Sequence, residues 1–246
     1  MDRLLYVAMT GAREAQVAQS VTSHNLANAS TTGFRSTLAG AAQVPLSGPG
    51  HATARSYAVT EGRGLDFTPG PMMATGRDLD VAIEGEGWIA VQAPDGGEAL
   101  TRAGDLRIDA FGILTTGTGL PVLGNGGPIA LPPFESLEIA GDGTISIRPL
   151  GQDAAGLAVV ERIRLVNPEP QALLRGEDGL VRMADGEAPA EADVRLLGGM
   201  LEGSNVSVIT AMVEMIQHAR NYELQVKMRT TAEQNDRSSS ELLRLG

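Results

Sequence analysis

The chain has 246 residues, no cysteine and a formal net charge of −11. An acidic chain with no Lys/Arg-rich stretch repels phosphate backbones and excludes nucleic acid as a partner, and the missing cysteines exclude disulfides, thiolate metal sites and Cys nucleophiles. Hydrophobic residues make up 42% but aromatics only 3%, so a core has to rest on Val, Ile and Leu; 31 glycines and 13 prolines favour short strands and turns over a large α/β enzyme core.

From Met1 to about Ala29, Leu5, Ala8, Ala12, Ala15 and Leu26 lie on a seam spaced three and four residues apart, interrupted by Gln19 and Thr22. The spacing predicts a helix with a narrow, Ala-rich stripe. Small side chains allow close approach of another helix but bury little area alone, so this helix needs partners. Arg, Glu and Gln punctuate Met1 to Val21, and no apolar run approaches the roughly 18 residues of a membrane span, so neither a signal peptide nor a span is expected. The stripe ends in Ser23-His24-Asn25-Leu26-Ala27-Asn28-Ala29-Ser30-Thr31-Thr32-Gly33-Phe34-Arg35. There Asn28, Ser30 and Thr31 are suited to bond the released backbone groups, Gly33 to adopt a positive φ and Phe34 to anchor the following chain.

Gly40 to Thr75 is rich in Gly, Pro, Ser and Thr and reads as an extended linker with at most edge strands. Strands begin after Arg77. Leu79, Val81 and Ile83 alternate with Asp80, Ala82 and Glu84 as in a half-buried strand, and Trp88 to Val91 follows across Gly85 and Gly87, which suit a tight hairpin. Turn signals at Asp95-Gly96-Gly97, Ala110-Phe111-Gly112, Gly124-Asn125-Gly126 and Gly141-Asp142-Gly143 mark short strands, with further strands at Thr144 to Arg148, Ala158 to Val166, Leu180 to Met183 and Val194 to Leu197. The last segment is helical again. Val208, Met212, Met215, Ala219, Tyr222 and Val226 form a heptad seam within a helix from about Ser207 towards Leu243, about 50 Å long at 1.5 Å per residue. The seam fades after Val226 into a polar tail.

Chemistry is sparse. Gly85-Glu86-Gly87-Trp88-Ile89-Ala90 spells the dinucleotide pattern G-x-G-x-x-A, but Pro94 and Asp95-Gly96 leave no room for the helix whose N-terminus would receive a pyrophosphate. His24, His51 and His218 lie in three unrelated contexts without metal-ligand spacing, and Asp78 with Asp80 is read as a solvated strand face. Neither a nucleophile elbow nor a phosphate loop occurs, so no catalytic, cofactor or metal residue is assigned.

Read together, the motifs resemble the flagellar rod and hook proteins of bacteria. Asn25-Leu26-Ala27-Asn28 with Ser30-Thr31-Thr32-Gly33-Phe34 is similar to the family's N-terminal signature, Thr75-Gly76-Arg77-Asp78-Leu79-Asp80-Val81-Ala82-Ile83-Glu84-Gly85-Glu86-Gly87-Trp88 to its central strand motif, and Leu201-Glu202-Gly203-Ser204-Asn205-Val206 to its C-terminal entry. His24 stands where the family usually has Asn, and Trp88 where Phe is commoner. The opening Met1 to Ala12 and the short spacing between Phe34 and Asp66 resemble proximal-rod members most; distal-rod members carry a longer insertion and hook proteins are generally larger.

The resemblance implies a mainly β fold with helical termini, the two terminal helices pairing as a coiled coil in an inner tube and a small central β-domain facing outward. The expected divisions are 1–36 for the N-terminal helix and its capped turn, 37–75 for the linker, 76–200 for the β-domain and 201–246 for the C-terminal helix. It further implies a structural axial subunit, not an enzyme, with no cofactor, exported by the flagellar type III apparatus without a cleaved signal peptide and placed in the rod across the periplasm. Its partners would be other rod subunits and its own copies, met through Leu5, Ala8, Ala12, Ala15, Asn25, Leu26, Asn28, Gly33, Phe34, Val208, Met212, Met215, Ala219, Tyr222 and Val226. A distal-rod or hook-type paralogue, and a monomeric β-domain binding protein, stay open as alternatives.

Overall fold

Both ends form helices: the Ala-rich α1 spans Asp2–Ala27 and α2 spans Val208–Arg244, with β-strands between them. The computed structural model describes residues 2–45, 56–150, 157–176, 178–184, 186, 188–191 and 193–244. They belong to two compact units: the first comprises residues 1–29, 37–66 and 206–246, the second residues 30–36 and 67–205.

In the first unit α1 packs along α2, and both strands of an antiparallel ribbon also lie against α1. The ribbon pairs Thr37–Pro45 with Ser56–Leu65, from Thr37 opposite Leu65 to Pro45 opposite Ser56, with a bulge between Ala39 and Ala41. It occupies much of the stretch read as a linker. Pairing gives these backbone N–H and C=O groups their partners in a stretch whose Ala, Gly and Gln side chains carry almost no strand periodicity. Pro45 sits at the strand end, where a missing donor costs nothing.

The second unit is β-rich. A five-stranded antiparallel sheet runs in the order Leu165–Val166, Trp88–Gln92, Glu98–Thr101, Val181–Met183, Leu173–Arg175. Beside it a three-stranded meander joins Phe134–Ile139, Thr144–Pro149 and Ala158–Arg162. Four short pairs accompany them: Val81–Glu84 with Arg195–Gly198, Met72–Ala74 with Met200–Glu202, Arg107–Ile108 with Leu114–Thr115, and Leu123–Gly124 with Gly127–Pro128. The fully buried residues of the core are aliphatic, including Ile83, Ile89, Val91, Leu106, Leu114, Ile129, Ile145, Ile147 and Ile163, as a chain poor in aromatics requires.

Three expectations change. Val81–Glu84 is buried on both faces up to Glu84, because Asp80 and Ala82 are covered as fully as Val81 and Ile83. Gly85 and Gly87 take positive φ but make no hairpin: Val81–Glu84 pairs with Arg195–Gly198, whereas Trp88–Gln92 joins the five-stranded sheet. Side chains at Gly87 are excluded by Val194, whose methyls would lie 2.7 and 2.9 Å from a Cβ there. The strand expected over Ala158 to Val166 is two strands, the first in the meander and the second paired with Trp88–Ile89, so the chain changes sheets at Ile163 and Arg164.

Ile147 sits in this aliphatic core at 1% exposure. Ile147→Ala is expected to lower the unfolding free energy by about 2–5 kcal/mol, the usual range for such a truncation; chemical denaturation followed by circular dichroism measures it.

Candidate functional site

At the heart of the second unit the carboxylate of Glu202, wholly buried, lies between two guanidiniums. Arg35 Nη2 is 2.7 Å from Oε1 and Arg102 Nη1 is 2.9 Å from Oε2, with side-chain exposures of only 3% and 5% for the two arginines. The Gly70 amide donates to Oε1 at 2.9 Å, so each carboxylate oxygen meets a cation and one also receives a backbone donor. Each arginine reaches further: Arg35 Nη1 donates to the Thr68 carbonyl and Arg102 Nη2 to the Gly85 carbonyl at 2.7 Å. Arg102 also stacks 5.7 Å over the Trp88 ring, which Phe67 meets edge-on at a centroid distance of 6.3 Å.

The surrounding backbone reinforces the clamp. The Gly33 amide donates to the Glu202 carbonyl at 2.7 Å, and the Asn205 amide to the Phe34 carbonyl at 3.3 Å. Asn205 bridges with its side chain: its Oδ1 accepts from the Ser36 amide at 2.7 Å, and its Nδ2 donates to the Thr68 carbonyl at 3.0 Å. Gly33 has φ of 66°, and a Cβ there would overlap the backbone of Arg102 and Ala103. Only glycine satisfies both constraints. The Phe34 ring, buried, lies 4.9 Å under the guanidinium of Arg175, whose Nη1 donates to the Arg35 carbonyl at 3.1 Å. Burial pushes the Arg175 pKa down from its ordinary value, yet a guanidinium stays charged.

In the first unit the helix pair is built on small residues. Ala8 and Ala15 are buried, and Gly11 between them faces Gln225, whose amide atoms would lie 2.9–3.1 Å from a Cβ at position 11. On α2 the covered residues recur as Ala211, Met215, His218, Gln225 and Ala232, with Ala211 and Ala232 buried. This seam lies one position away from the one read off the sequence. Of the six residues named on it, Met215 and Ala219 are half-buried, while Val208, Met212, Tyr222 and Val226 stand exposed. The shallow Ala/Gly face of α1 leaves room for the extended Met215, His218 and Gln225 side chains beside the small Ala211 and Ala232, so the contact does not follow apolarity. On α1, Ala12 is half-buried and the Leu5 side chain lies outside the described residues.

The helix-end residues divide between the units. Asn25 pairs twice with the backbone of Thr37, its Nδ2 donating to the carbonyl and its Oδ1 accepting from the amide, both at 2.9 Å. It thereby ties the end of α1 to the start of the ribbon. Leu26 is half-buried beside it, and Asn28 caps the helix by donating from Nδ2 to the His24 carbonyl at 2.9 Å. Gly33 and Phe34 belong to the clamp in the second unit.

Sequence reasoning missed Arg35, Arg102, Glu202 and Asn205 as interacting residues. Three of them lie within motifs already noted, but a pair 100 residues apart, such as Arg102 with Glu202, has no local signature. Among the described residues no three His, Asp or Glu side chains gather as a metal site, and no helix is long and apolar enough to cross a membrane.

The clamp joins the three stretches that comparison with known families picks out or adjoins. Residues 5–35 match the family described as Flagella basal body rod protein, residues 82–147 the Flagellar hook protein FlgE/F/G D1 domain, and residues 197–242 the Flagellar basal body rod FlgEFG protein C-terminal. The chain is 41% identical over 250 residues to the flagellar basal-body rod protein FlgF of Salmonella typhimurium and equally to that of Escherichia coli, covering 99% of both chains. The chain belongs to the flagellar basal-body rod protein family. A FlgF protein of Caulobacter vibrioides is 33% identical over 261 residues, covering 99% of this chain and 98% of its own, and a FlgG protein of Buchnera aphidicola is 32% identical over 260 residues, covering 97% and 98%. The resemblance drawn from the motifs is borne out.

Removing Glu202 leaves two buried guanidiniums facing each other. Glu202→Ala is expected to destabilise the second unit by about 3–5 kcal/mol, the range for breaking one side of a buried ion pair. Trp88, the chain's single tryptophan, reports the loss by fluorescence during urea unfolding. Gly33→Ala should unfold early as well, since it adds both a disfavoured φ and a backbone overlap.

Proposed function

We propose that this protein is a structural axial subunit of the bacterial flagellar basal body, in the proximal part of the rod, that assembles with its own copies and with related rod subunits through its terminal helices. The observation that carries the reading is the uncovered apolar face of α2. Ile209 is 78% exposed, and Met212, Val213, Ile216, Leu224 and Met228 are also exposed, in a chain whose relatives over its full length are rod proteins.

The helices have two uses in this reading. The small-residue seam of Ala8, Gly11 and Ala15 against Ala211, His218, Gln225 and Ala232 joins α1 to α2 as a coiled-coil pair within one subunit. Val208, Met212, Tyr222 and Val226, with Ile209 and Ile216 around them, then supply the apolar area that a second subunit covers. Residues 1–36 and 201–246 are the assembly segments and residues 76–200 the β-domain they carry. The subunit reaches the rod, across the periplasm, through the flagellar export apparatus, and performs no catalysis. The FlgF proteins of Salmonella typhimurium and Escherichia coli, at 41% identity, are more similar than the FlgG protein of Buchnera aphidicola, at 32% with nearly equal coverage, which favours the proximal position over a distal-rod or hook-type role.

Ile209→Asp and Met212→Asp place a charge on the uncovered face without touching either packed seam. Each variant is expected to keep the wild-type circular dichroism and denaturation midpoint but to fail to enter rods, leaving cells non-motile. Purified basal bodies probed for the protein decide the matter. Normal incorporation of both variants would refute the assignment of this face.

A further inference from the structure

The charge of the chain is unequally divided. The first unit holds nine Lys/Arg and nine Asp/Glu, whereas the second holds ten and twenty-one, so the whole net charge of −11 lies in the second. Two such units brought side by side repel at distances within the roughly 8 Å screening length of physiological salt. Contact is cheapest where no carboxylate has to be desolvated.

The longest stretch of the second unit free of charged residues comes near that condition. Ala110 to Phe134 contains no Asp, Glu, Lys or Arg. At its start Phe111 stands 88% exposed, more than any other large apolar side chain among the described residues. The ring is presented on a rigid turn: Asp109 Oδ1 accepts from the amides of Phe111 and Ile113, both at 2.8 Å, and the Gly112 amide donates to the Asp109 carbonyl at 3.1 Å with φ of 81° at Gly112. The other side of the patch is held against this turn. The Leu131 amide donates to the Gly112 carbonyl at 2.8 Å, and Ile113 bridges to Ala130. Exposed Ala130, Pro132 and Pro133 therefore continue the apolar surface beside Phe111. Such an aromatic carries a large contact area, and the fixed turn removes most of the ordering cost of using it.

We infer that this patch, Phe111 with Ala130, Pro132 and Pro133, is the surface through which the β-rich unit of one copy touches the β-rich unit of another copy. The inference rests on the rod-subunit reading, which brings copies next to one another. A copy of the same acidic unit is the neighbour against which an uncharged patch matters most, because an approach through carboxylate-bearing surface sets like charges against one another.

The test places photoreactive benzoylphenylalanine at position 111, and separately at position 209, in the protein produced in flagellated cells. Irradiated basal bodies are then analysed for linked peptides. Position 111 is expected to give a species of twice the subunit mass, linked within residues 67–205 of a second copy. Absence of that product, or linkage only to a different protein, overturns the inference when position 209 still links to a rod subunit. Failure at both positions overturns the rod-subunit reading with it. Phe111→Asp should leave Trp88 fluorescence and folding unchanged while reducing incorporation into rods on the order of tenfold, as loss of one buried apolar anchor implies; unchanged incorporation contradicts the proposal.

Discussion

The second unit depends on one buried carboxylate. Glu202 has lost all contact with water, and it is tolerable there only because Arg35, Arg102 and the Gly70 amide surround it at 2.7–2.9 Å. A buried ion cluster adds little net stability over an apolar one, but it is unforgiving about its members. The chain passes between the two units after residues 29, 36, 66 and 205, and on the β-rich side Gly33 to Arg35, Phe67 to Gly70 and Glu202 to Asn205 are fastened to one another by the clamp and by Asn205. The stretch leading out of α1 and the stretch leading into α2 are thus held as neighbours by side chains whose partners lie up to 169 residues away.

The two units are stabilised differently. The β-rich unit closes over an aliphatic core of its own, with its strands split among a five-stranded sheet, a meander and short pairs. The helical unit has a seam of Ala and Gly that covers little area, a ribbon of Ala, Gly and Thr, and a second helix of 37 residues whose larger apolar side chains face outward. A helix built this way gains most from neighbours. Charge follows the same division, balanced in the helical unit and strongly negative in the β-rich one.

Both helices, the aliphatic core and most turns were legible from periodicity and glycine placement, since those signals are local. The helix seam was legible in period but only partly in phase: Val208, Met212 and Tyr222 carry the apolar signal, yet Ala211, His218 and Gln225 are covered beside Met215 and Ala219, because the shallow face around Gly11 has room for a polar side chain such as Gln225. Pairing partners were not legible. Gly85 and Gly87 read as a hairpin because nothing local reveals that the strands on either side join different sheets. Arg102 shows the same limit, since a lone arginine in a turn-rich stretch gains its role from a glutamate 100 residues onward. The motifs that resemble the rod family contain most of the clamp, but their physical reason emerges only when Gly33, Arg35, Glu202 and Asn205 are seen in contact.

The claim that a direct Arg35–Glu202 ion pair fastens distant stretches of the second unit is tested most directly by a double-mutant cycle on Arg35 and Glu202, using Arg35→Met, Glu202→Gln and the pair, with urea unfolding read through Trp88. A direct, desolvated ion pair predicts a coupling energy of about 2 kcal/mol or more. Additivity within about 0.5 kcal/mol would contradict it, because independent sites behave that way.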